Sequence, residues 1–386
     1  MMSHLFPTYS RWEVEPDIAE GCFIIGKDGK RYLDFTSGIG VCNLGHRPKA
    51  IQEAVNSQLN RFWHVSNLFV QGEQEAAAKR LADGANMDLV FFANSGAEAN
   101  EAAIKLARKA TGRKKIITFE NSFHGRTFAT MSATGQEKIK AGFGPMLETF
   151  TYLPFNDIEA VKQAIDSETA AIMLEVVQGE GGIHIGEQEF LNEVGQLCKK
   201  NGALYIIDEI QTGVGRTGKP FAFQHFQLTP DIVTTAKGLG SGLPIGAVIG
   251  RKEQAHFFGP GSHGSTFGGN PLAIAAANAT MEIIFEKEFL KVVEKKSEYL
   301  YEQMSKKLGS LPAITEIRQL GMMIGLETSA DVPLLVKELR MDGLLTLSAG
   351  HNVLRLLPPL SVKETEIDEA VEILQSVLIS YSNAAV

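Results

Sequence analysis

Short apolar runs alternate with amphipathic stretches along the chain from about residue 90 onward. Short, almost fully apolar runs are typical of strands buried on both faces of a parallel sheet, whereas apolar residues spaced three and four apart indicate helices. This alternation predicts an α/β fold with a doubly wound, mostly parallel sheet. Strands are predicted at 90–92, 115–119, 170–175, 203–208, 231–235 and 246–249, and helices at 48–59, 74–85, 97–110, 158–165 and 189–200.

The two ends of the chain differ in pattern from this middle part. Residues 22–35 are predicted to form a hairpin with Asp28 and Gly29 in its turn. After Pro271 the pattern is mainly helical, first rich in alanine and isoleucine and then rich in charge. We therefore expect a small α+β domain built from both chain ends beside a large central one. The predicted boundaries are 1–48 and 276–386 for the small domain and 49–275 for the large domain.

The start of the last predicted helix is marked by Ser361 and Glu364. A serine followed three residues later by a glutamate is typical of a capping box, in which each side chain bonds the other residue's backbone N–H. We expect the last helix to begin at Ser361.

Composition and charge narrow the possible classes of protein. A chain of 386 residues that is 44% hydrophobic can bury a large core. Its formal net charge of -8 and the lack of a basic run argue against binding to nucleic acid or to an anionic membrane. The cysteines Cys22, Cys42 and Cys198 fit neither a disulfide framework nor a metal site. With no leader-like or membrane-spanning pattern, we expect a cytoplasmic protein.

Asp208 and Lys237 each come at or just after the end of a predicted strand. The carboxyl ends of strands are where open α/β sheets bind their ligands. A lysine that can form an imine and a carboxylate that can hold a pyridinium nitrogen are the two groups that pyridoxal 5′-phosphate requires. We therefore infer a pyridoxal 5′-phosphate enzyme with Asp208 and Lys237 as its catalytic pair.

The glycines at 213, 215 and 218 also fit the dinucleotide-binding fingerprint G-x-G-x-x-G. That fingerprint must open a helix, because the helix N-terminus binds the pyrophosphate. Here Lys219 and Pro220 follow, and then an aromatic run without helical periodicity. The context therefore argues against a dinucleotide site.

A phosphate site is predicted where residues 94–99 lead from a strand into a helix. Gly96 allows an anion to approach the backbone N–H groups, and the helix dipole favours a phosphate there. The alternative is an ordinary cap formed by Ser95. The presence of Lys237 favours phosphate binding.

Residues 121–127 follow another predicted strand and carry Phe123 and Arg126. An aromatic ring at that edge can stack on a pyridine ring, and an arginine can grip a carboxylate with two hydrogen bonds. His124, between them, is expected to be structural.

Three further charged residues fall near the same edge or in an apolar strand. Glu175 ends a predicted strand, and Glu180 lies among glycines. Arg355 stands inside an apolar run, and a buried arginine must be paired. Its partner could be a structural salt bridge, a substrate carboxylate, or each in turn.

Together these motifs resemble the class III (ω-amino acid) aminotransferases, which depend on pyridoxal phosphate, and the resemblance covers nearly the whole chain. Its most specific part runs from Asp208 through residues 213–218 to Lys237. The resemblance implies fold type I, with a mostly parallel central sheet in a large domain and a smaller α+β domain. It also implies an amino acid and a 2-oxo acid as substrates.

The resemblance extends to individual cofactor contacts. It implies that Phe123 stacks on the cofactor ring and that Gln211 bonds the phenolic oxygen. It also implies that Thr266 is a phosphate ligand donated by the neighbouring subunit, and hence a homodimer with shared active sites. The implied phosphate loop consists of Ser95, Gly96 and Ala97.

Within the class, residues 37–46 are most similar to members that act on N2-acetylornithine. Ile39 stands where ornithine δ-aminotransferases usually carry a tyrosine that contacts a free α-amine, so an acylated substrate fits better. Aminotransferases for 4-aminobutyrate can also carry isoleucine there. Val176 departs mildly from the family, since many members have proline after the glutamate.

The resemblance implies transfer of the δ-amino group of N2-acetylornithine to 2-oxoglutarate. Arg126 would bind the α-carboxylate of acetylornithine and the distal carboxylate of 2-oxoglutarate. Arg355 would bind the α-carboxylate of the keto acid, and Glu180 would mask Arg355 in the other half-reaction. Ornithine, succinylornithine and 4-aminobutyrate aminotransferases, an aminomutase and a non-catalytic pyridoxal-phosphate-binding protein remain as alternatives.

Overall fold

A seven-stranded sheet, the central sheet, forms the middle of the computed structural model, which describes residues 4–384. One strand, Gly246–Gly250, is antiparallel to both neighbours, and the other adjacent strands pair in parallel. The predicted α/β fold with a mostly parallel sheet is therefore confirmed. The spatial order is Leu89–Ala93, Gly246–Gly250, Ile232–Thr235, Leu204–Asp208, Thr169–Leu174, Lys115–Phe119 and Phe150–Leu153.

Successive residues of a strand point to opposite faces of the sheet. Since the strands of the central sheet carry apolar residues on both faces, helices cover both. Ile206 packs in one hydrophobic cluster with the helix Gly96–Thr111, and Ile207 packs in another with Gln188–Asn201. None of the helices in the described part of the chain is long and apolar enough to cross a membrane. The other α-helices are Lys49–Leu59, Gly72–Ala85, Phe128–Ala133, Glu137–Lys140, Ile158–Ala164, Pro271–Ile284, Lys287–Leu308, Val332–Met341 and Glu364–Ala384; 3₁₀ helices span Ala222–Phe226, Lys237–Leu239 and Lys252–Phe258.

The two chain ends meet in a small sheet, where Leu344–Leu345 pairs in parallel with Arg31–Asp34. This pairing supports the expectation of a small domain assembled from both ends, although the boundaries 1–48, 49–275 and 276–386 stay a prediction. The remaining strands are Pro16–Glu20 and Phe23–Gly26 in that sheet, Ile314–Leu320, Met323–Thr328, Leu347–Ala349 and Val353–Leu356 in a C-terminal sheet, and the pair Val177–Gln178 and His184–Ile185.

The predicted start of the last helix at Ser361 is wrong, since the helix spans Glu364–Ala384. Val362 is fully buried and its N–H bonds the carbonyl of Pro359 at 3.1 Å, so packing delays the helix. The carboxylate of Glu366, rather than that of Glu364, reaches back to the backbone N–H of Lys363 at 2.8 Å.

The strand Phe150–Leu153 and the reversed direction of Gly246–Gly250 were not predicted. Phe150–Leu153 lies at one edge of the central sheet and is mostly half-buried, so its sequence lacks a continuous apolar run. The direction of Gly246–Gly250 depends on the path of the connecting chain, which hydrophobic pattern does not encode.

Candidate functional site

A cavity of about 440 Å³ lies where the strands Leu204–Asp208 and Ile232–Thr235 end. This position, outside the carboxyl ends of parallel strands, is the usual ligand site of open α/β sheets. The wall brings together most of the residues that were predicted from the sequence: Ser95, Gly96, Ala97, Phe123, Arg126, Asp208, Gln211 and Lys237.

Lys237 stands at the start of a short 3₁₀ helix with a φ of 40°. Positive φ is uncommon for a residue with a side chain, and such strain is found most often at functional sites. Burial lowers the pKa of its amine, a shift that the nearby carboxylate of Glu180 opposes. A lysine that loses its proton more readily is a better nucleophile.

Asp208 is buried and its carboxylate is held by three hydrogen bonds. Asn100 Nδ2 and His124 Nδ1 both donate to Oδ2 at 2.8 Å, and the N–H of Ile210 donates to Oδ1 at 3.0 Å. Burial alone would lower the pKa of His124, but its hydrogen bond to Asp208 and the charge of that carboxylate raise it. The site therefore holds a fixed anion beside a histidine that favours its charged form.

The helix Gly96–Thr111 points its N-terminus at the cavity. Ser95 Oγ accepts the N–H of Glu98 at 3.2 Å, and the Ser95 carbonyl accepts that of Ala99 at 3.0 Å. The N–H groups of Gly96 and Ala97 remain at the free end of the helix, where a phosphate is favoured.

Glu180 and Arg355 lie beside the cavity, joined to its wall through Gln211. Arg355 Nη1 donates to Glu180 Oε1 at 2.6 Å, to Gln211 Oε1 at 3.0 Å and to the carbonyl of Gly179 at 3.1 Å. Gln211 Nε2 also donates to Glu180 Oε1 at 3.3 Å. Burial would raise the pKa of Glu180, but the charge and hydrogen bond of Arg355 outweigh it and lower that pKa.

Glu175 ties together the two loops that carry Phe123 and Glu180. Its carboxylate accepts the N–H of Phe123 at 3.1 Å and, more weakly, the N–H of Gly179 at 3.4 Å. Burial raises the pKa of Glu175 to about 7.

The guanidinium of Arg126 lies 5.7 Å from the centre of the Phe123 ring, and none of the salt bridges within residues 4–384 involves Arg126.

Ile39 lies in the turn Ser37–Gly40, whose residues have φ values of 47°, 63°, 68° and 71°. For a residue with a side chain, each left-handed position costs about 1–2 kcal/mol. Ile39 is 46% exposed and is not part of the cavity wall, whereas Val41, two residues on, is.

Thr266 is also away from the wall of its own chain's cavity, on an exposed loop. Its neighbour Ser265 accepts a hydrogen bond from Asn94 Nδ2 at 3.1 Å, and Asn94 lines the cavity. The loop is thus close to the phosphate end of the site, while the role predicted for Thr266 stays a prediction.

Sequence reasoning missed Asn100 and the wall formed by Val41, Ile210 and residues 242–245. Asn100 is fully buried among alanines on the inner face of its helix. A polar residue on an otherwise apolar helix face was the available signal, since buried amides require partners.

The residues present fit pyridoxal phosphate. A helix N-terminus suits its phosphate, Asp208 suits its ring nitrogen and Lys237 suits its aldehyde. Buried polar atoms without a partner in the described residues, His124 Nε2 and Asn100 Oδ1, flank the same carboxylate. Groups that could hold a metal ion were not found among residues 4–384.

Known proteins resemble the chain over almost all of its length. Residues 8–378 match the family model described as aminotransferase class-III. The chain is 56% identical to the acetylornithine aminotransferase of Bacillus subtilis, covering 99% of both chains. It is 55% identical to the acetylornithine aminotransferase of Listeria innocua, covering 98% of both.

Solved structures also match the fold over almost the whole length of the chain. The ornithine aminotransferase of Toxoplasma gondii superposes with a TM-score of 0.94 at 29% identity, covering 99% of this chain and 93% of that one. The N-acetylornithine aminotransferase of Stenotrophomonas maltophilia superposes with a TM-score of 0.85 at 33% identity, covering 97% and 98%.

Proposed function

Because the chain belongs to the class-III aminotransferases, which depend on pyridoxal phosphate, we propose that it transfers the δ-amino group of N2-acetylornithine to 2-oxoglutarate. The products are N-acetylglutamate 5-semialdehyde and glutamate. In this proposal the reaction is a step of arginine biosynthesis and takes place in the cytoplasm. One observation carries the proposal: acetylornithine aminotransferases from several bacteria are 52–56% identical to the chain over nearly its whole length.

In this reaction Lys237 and Asp208 divide the proton chemistry between them. When bound, pyridoxal phosphate supplies the electron-withdrawing ring that makes it possible to remove a proton from the amine-bearing carbon. Lys237 holds the cofactor and then moves that proton, for which its lowered pKa suits it. Asp208 keeps the ring nitrogen charged, because an adjacent anion raises the pKa of that nitrogen.

The contacts of Arg355 support a site that accepts two different substrates in turn. N2-acetylornithine presents its δ-amine and one distant carboxylate, which Arg126 binds. Glutamate presents its α-amine with a carboxylate on the same carbon, and Arg355 binds that group once Glu180 moves aside. The present contact of Arg355 with Glu180, at 2.6 Å, corresponds to the masked arrangement.

The enzyme works as a homodimer with shared sites in this proposal. An exposed apolar surface lies next to the Thr266 loop and includes Trp63, Leu68, Phe69 and Phe267. Asn67 Nδ2 joins its two parts by donating to the carbonyl of Gly268 at 3.0 Å. Large exposed apolar patches mark interaction surfaces, and a second copy would bury this one while bringing its Thr266 to the neighbouring phosphate site.

A substrate panel with the purified holoenzyme tests the proposed reaction. N2-acetylornithine, ornithine, N2-succinylornithine and 4-aminobutyrate are each assayed with 2-oxoglutarate. We expect kcat/KM to be highest for N2-acetylornithine, by about tenfold or more, which corresponds to ~1.4 kcal/mol of transition-state binding. A preference for another donor would overturn the assignment. Turnover without a keto acid would indicate an aminomutase, and no turnover at all would indicate a binding protein.

A further inference from the structure

The turn Ser37–Gly40 requires support from outside itself, because Ser37 and Ile39 both occupy the left-handed region. Asp34, which is fully buried, provides it. Its Oδ1 accepts the N–H and the hydroxyl of Thr36 at 2.8 and 2.6 Å, and the N–H of Ser37 at 3.2 Å. One carboxylate oxygen thus fixes the backbone where it enters the turn.

His46 holds the other oxygen of that carboxylate. Its Nε2 donates to Asp34 Oδ2 at 2.8 Å. The hydrogen bond to Asp34, with a further one to Cys42, raises the pKa of His46 to about 10, so the buried anion faces a cation.

The backbone of His46 is itself fixed, so its ring is presented to Asp34 from a rigid base. The N–H of Gly21 donates to the carbonyl of His46 at 3.0 Å, and the N–H of His46 donates to the carbonyl of Gly21 at 2.8 Å. Gly45 is needed beside it, because a Cβ there would lie 2.7 Å from the carbonyl oxygen of Gly21.

On its other side the turn touches the catalytic cavity. The hydroxyl of Ser37 donates to the carbonyl of Leu357 at 2.6 Å, and Leu357 directly follows the strand that carries Arg355. A Cβ on Gly40 would lie 3.9 Å from Cγ of Gln211. A shift of the turn would therefore move the cavity wall next to the residues that surround the masked arginine.

We propose that the ion pair of Asp34 and His46 positions the turn Ser37–Gly40 and thereby sets which substrate side chain the cavity accepts. Neither residue lines the cavity, so both are positioning residues that act through the turn on Val41, which does line it. The choice of N2-acetylornithine as the accepted substrate rests on the proposed function, whereas the support of the turn does not.

The experiment compares Asp34→Asn and His46→Gln with the wild-type holoenzyme. The matched control is Asp83→Asn, which removes a charge from the exposed helical pair with Lys79. Amide hydrogen exchange over residues 36–41 should become about tenfold faster in both test variants, because buried charge-assisted bonds are lost, and should not change in the control. The KM for N2-acetylornithine should rise by about tenfold while kcat changes by less than about twofold.

A second substitution separates positioning from general loss of structure. Asn adopts the left-handed region more readily than a β-branched residue does. Ile39→Asn in the Asp34→Asn background should therefore slow exchange over residues 36–41 again and bring the KM back towards the wild-type value, because the turn again holds Val41 in the cavity wall. If Asp34→Asn does not fold, Thr36→Val provides the comparison, since it keeps the charge of Asp34 and removes the hydroxyl bonds of Thr36 to Asp34 and to the N–H of Gly38.

Unchanged exchange over residues 36–41 in the variants would overturn the proposal. So would a fall in kcat with an unchanged KM, or a loss of the absorption band of bound pyridoxal phosphate, because these indicate a general structural role. If the wild-type enzyme prefers another amino donor, the proposed substrate fails. The hydrogen exchange and the KM for that donor then still decide whether the pair positions the turn.

Discussion

Single residues in the cavity are arranged so that buried charges are paired before any ligand binds. Asp208 receives hydrogen bonds from Asn100 and His124, and Arg355 is matched by Glu180. Removing one member of a buried pair costs more than the pair contributes, because the remaining charge loses its partner. Substitutions at this scale therefore test specific roles.

Lys237→Ala should abolish turnover and the visible absorption band of the lysine-bound cofactor, because Lys237 is the only lysine of residues 4–384 in the cavity wall. Borohydride reduction followed by peptide mass spectrometry checks which lysine carries the cofactor. Lys79→Ala, at an exposed lysine, is the control and should behave as wild type. Cofactor attached to a different lysine would refute the assignment.

Glu180→Ala should change the balance between the two half-reactions. Arg355 would keep its contacts with Gln211 and the Gly179 carbonyl but lose its anion, so α-carboxylates should bind it better. The ratio of kcat/KM for N2-acetylornithine to that for glutamate should fall about tenfold for each ~1.4 kcal/mol of differential binding.

Single-turnover rates of each half-reaction provide the measurement for Glu180→Ala. Glu316→Ala is the control, since Glu316 is an exposed partner of Arg318, which keeps a second acid, Glu327. An unchanged ratio, with both half-reactions weakened together, would mean that Glu180 only supports its loop.

His46→Gln should alter how stability depends on pH. The pKa of His46 is raised from 6.5 to about 10 in the folded chain, so its contribution is complete below pH 6.5 and is lost as the pH rises towards 10. Each unit of difference between the two pKa values corresponds to about 1.4 kcal/mol of folding free energy. His46→Gln should therefore lower the free energy of unfolding by a few kcal/mol below pH 6.5.

The free energy of unfolding of wild type and His46→Gln should therefore converge as the pH rises from about 6 to about 10. Denaturant titrations at several pH values provide the measurement. His184→Gln serves as control, because burial lowers the pKa of His184 and so moves its titration away from this window, towards acid pH. A gap between wild type and His46→Gln that does not change with pH would exclude a stabilising ion pair.

At the scale of secondary-structure elements, the strands and helices that carry the cavity residues meet at one edge of the central sheet. The antiparallel strand Gly246–Gly250 passes directly behind the phosphate loop, and a Cβ on Gly246 would lie 2.3 Å from the carbonyl oxygen of Ser95. The helix N-terminus and this strand are therefore fitted backbone to backbone. Neither can shift without moving the other.

Gly246→Ala should weaken cofactor binding, because the added methyl group must displace the backbone of Ser95. Overpacking of this kind costs about 1–3 kcal/mol. The Kd for pyridoxal phosphate should rise about tenfold for each ~1.4 kcal/mol by which the methyl group destabilises the cofactor-bound protein relative to the cofactor-free protein. Titration of the cofactor-free protein with pyridoxal phosphate measures this Kd. Gly250→Ala is the control at the other end of the strand, where the methyl group meets the side-chain amide of Gln254 and no backbone atom. Equal effects of the two substitutions would contradict the proposed fit.

At the scale of the whole molecule, the Thr266 loop and its apolar surroundings face outward. The proposed site, with a phosphate ligand from a second chain, would account for the absence of Thr266 from the wall of its own cavity. The proposed dimer would also bury large side chains such as Trp63 and Leu68, which are 65% and 91% exposed in the single chain.

Shared sites predict complementation between two defective parents. Lys237→Ala and Thr266→Ala should each have little activity, but a mixed dimer holds one site in which both residues are intact. After subunit exchange in an equal mixture, about a quarter of the wild-type activity should return, since half of the dimers are mixed and each has one good site. Mixed dimers confirmed by affinity tags but without activity would show that each site is built from one chain.

The sequence alone determined the class of fold and the chemistry of the site. Apolar runs such as the one before Asp208 predict buried strands because burial on both faces leaves little room for polar residues. Asp208 and Lys237 could be joined into one site because strand ends in a parallel sheet meet at one edge. The resemblance of their surroundings to the class III aminotransferases then identified the family, which the full-length match confirmed.

Only the tertiary structure decided which distant groups complete that site and hold it in shape. Asn100, His124 and the bridge from Gln211 to Arg355 depend on contacts between residues far apart in sequence. The left-handed turn at Ser37–Gly40 runs against local preference. Such a conformation persists only where surrounding bonds offset its strain. Here those bonds include the one from the Ser37 hydroxyl to the carbonyl of Leu357, which local sequence does not record.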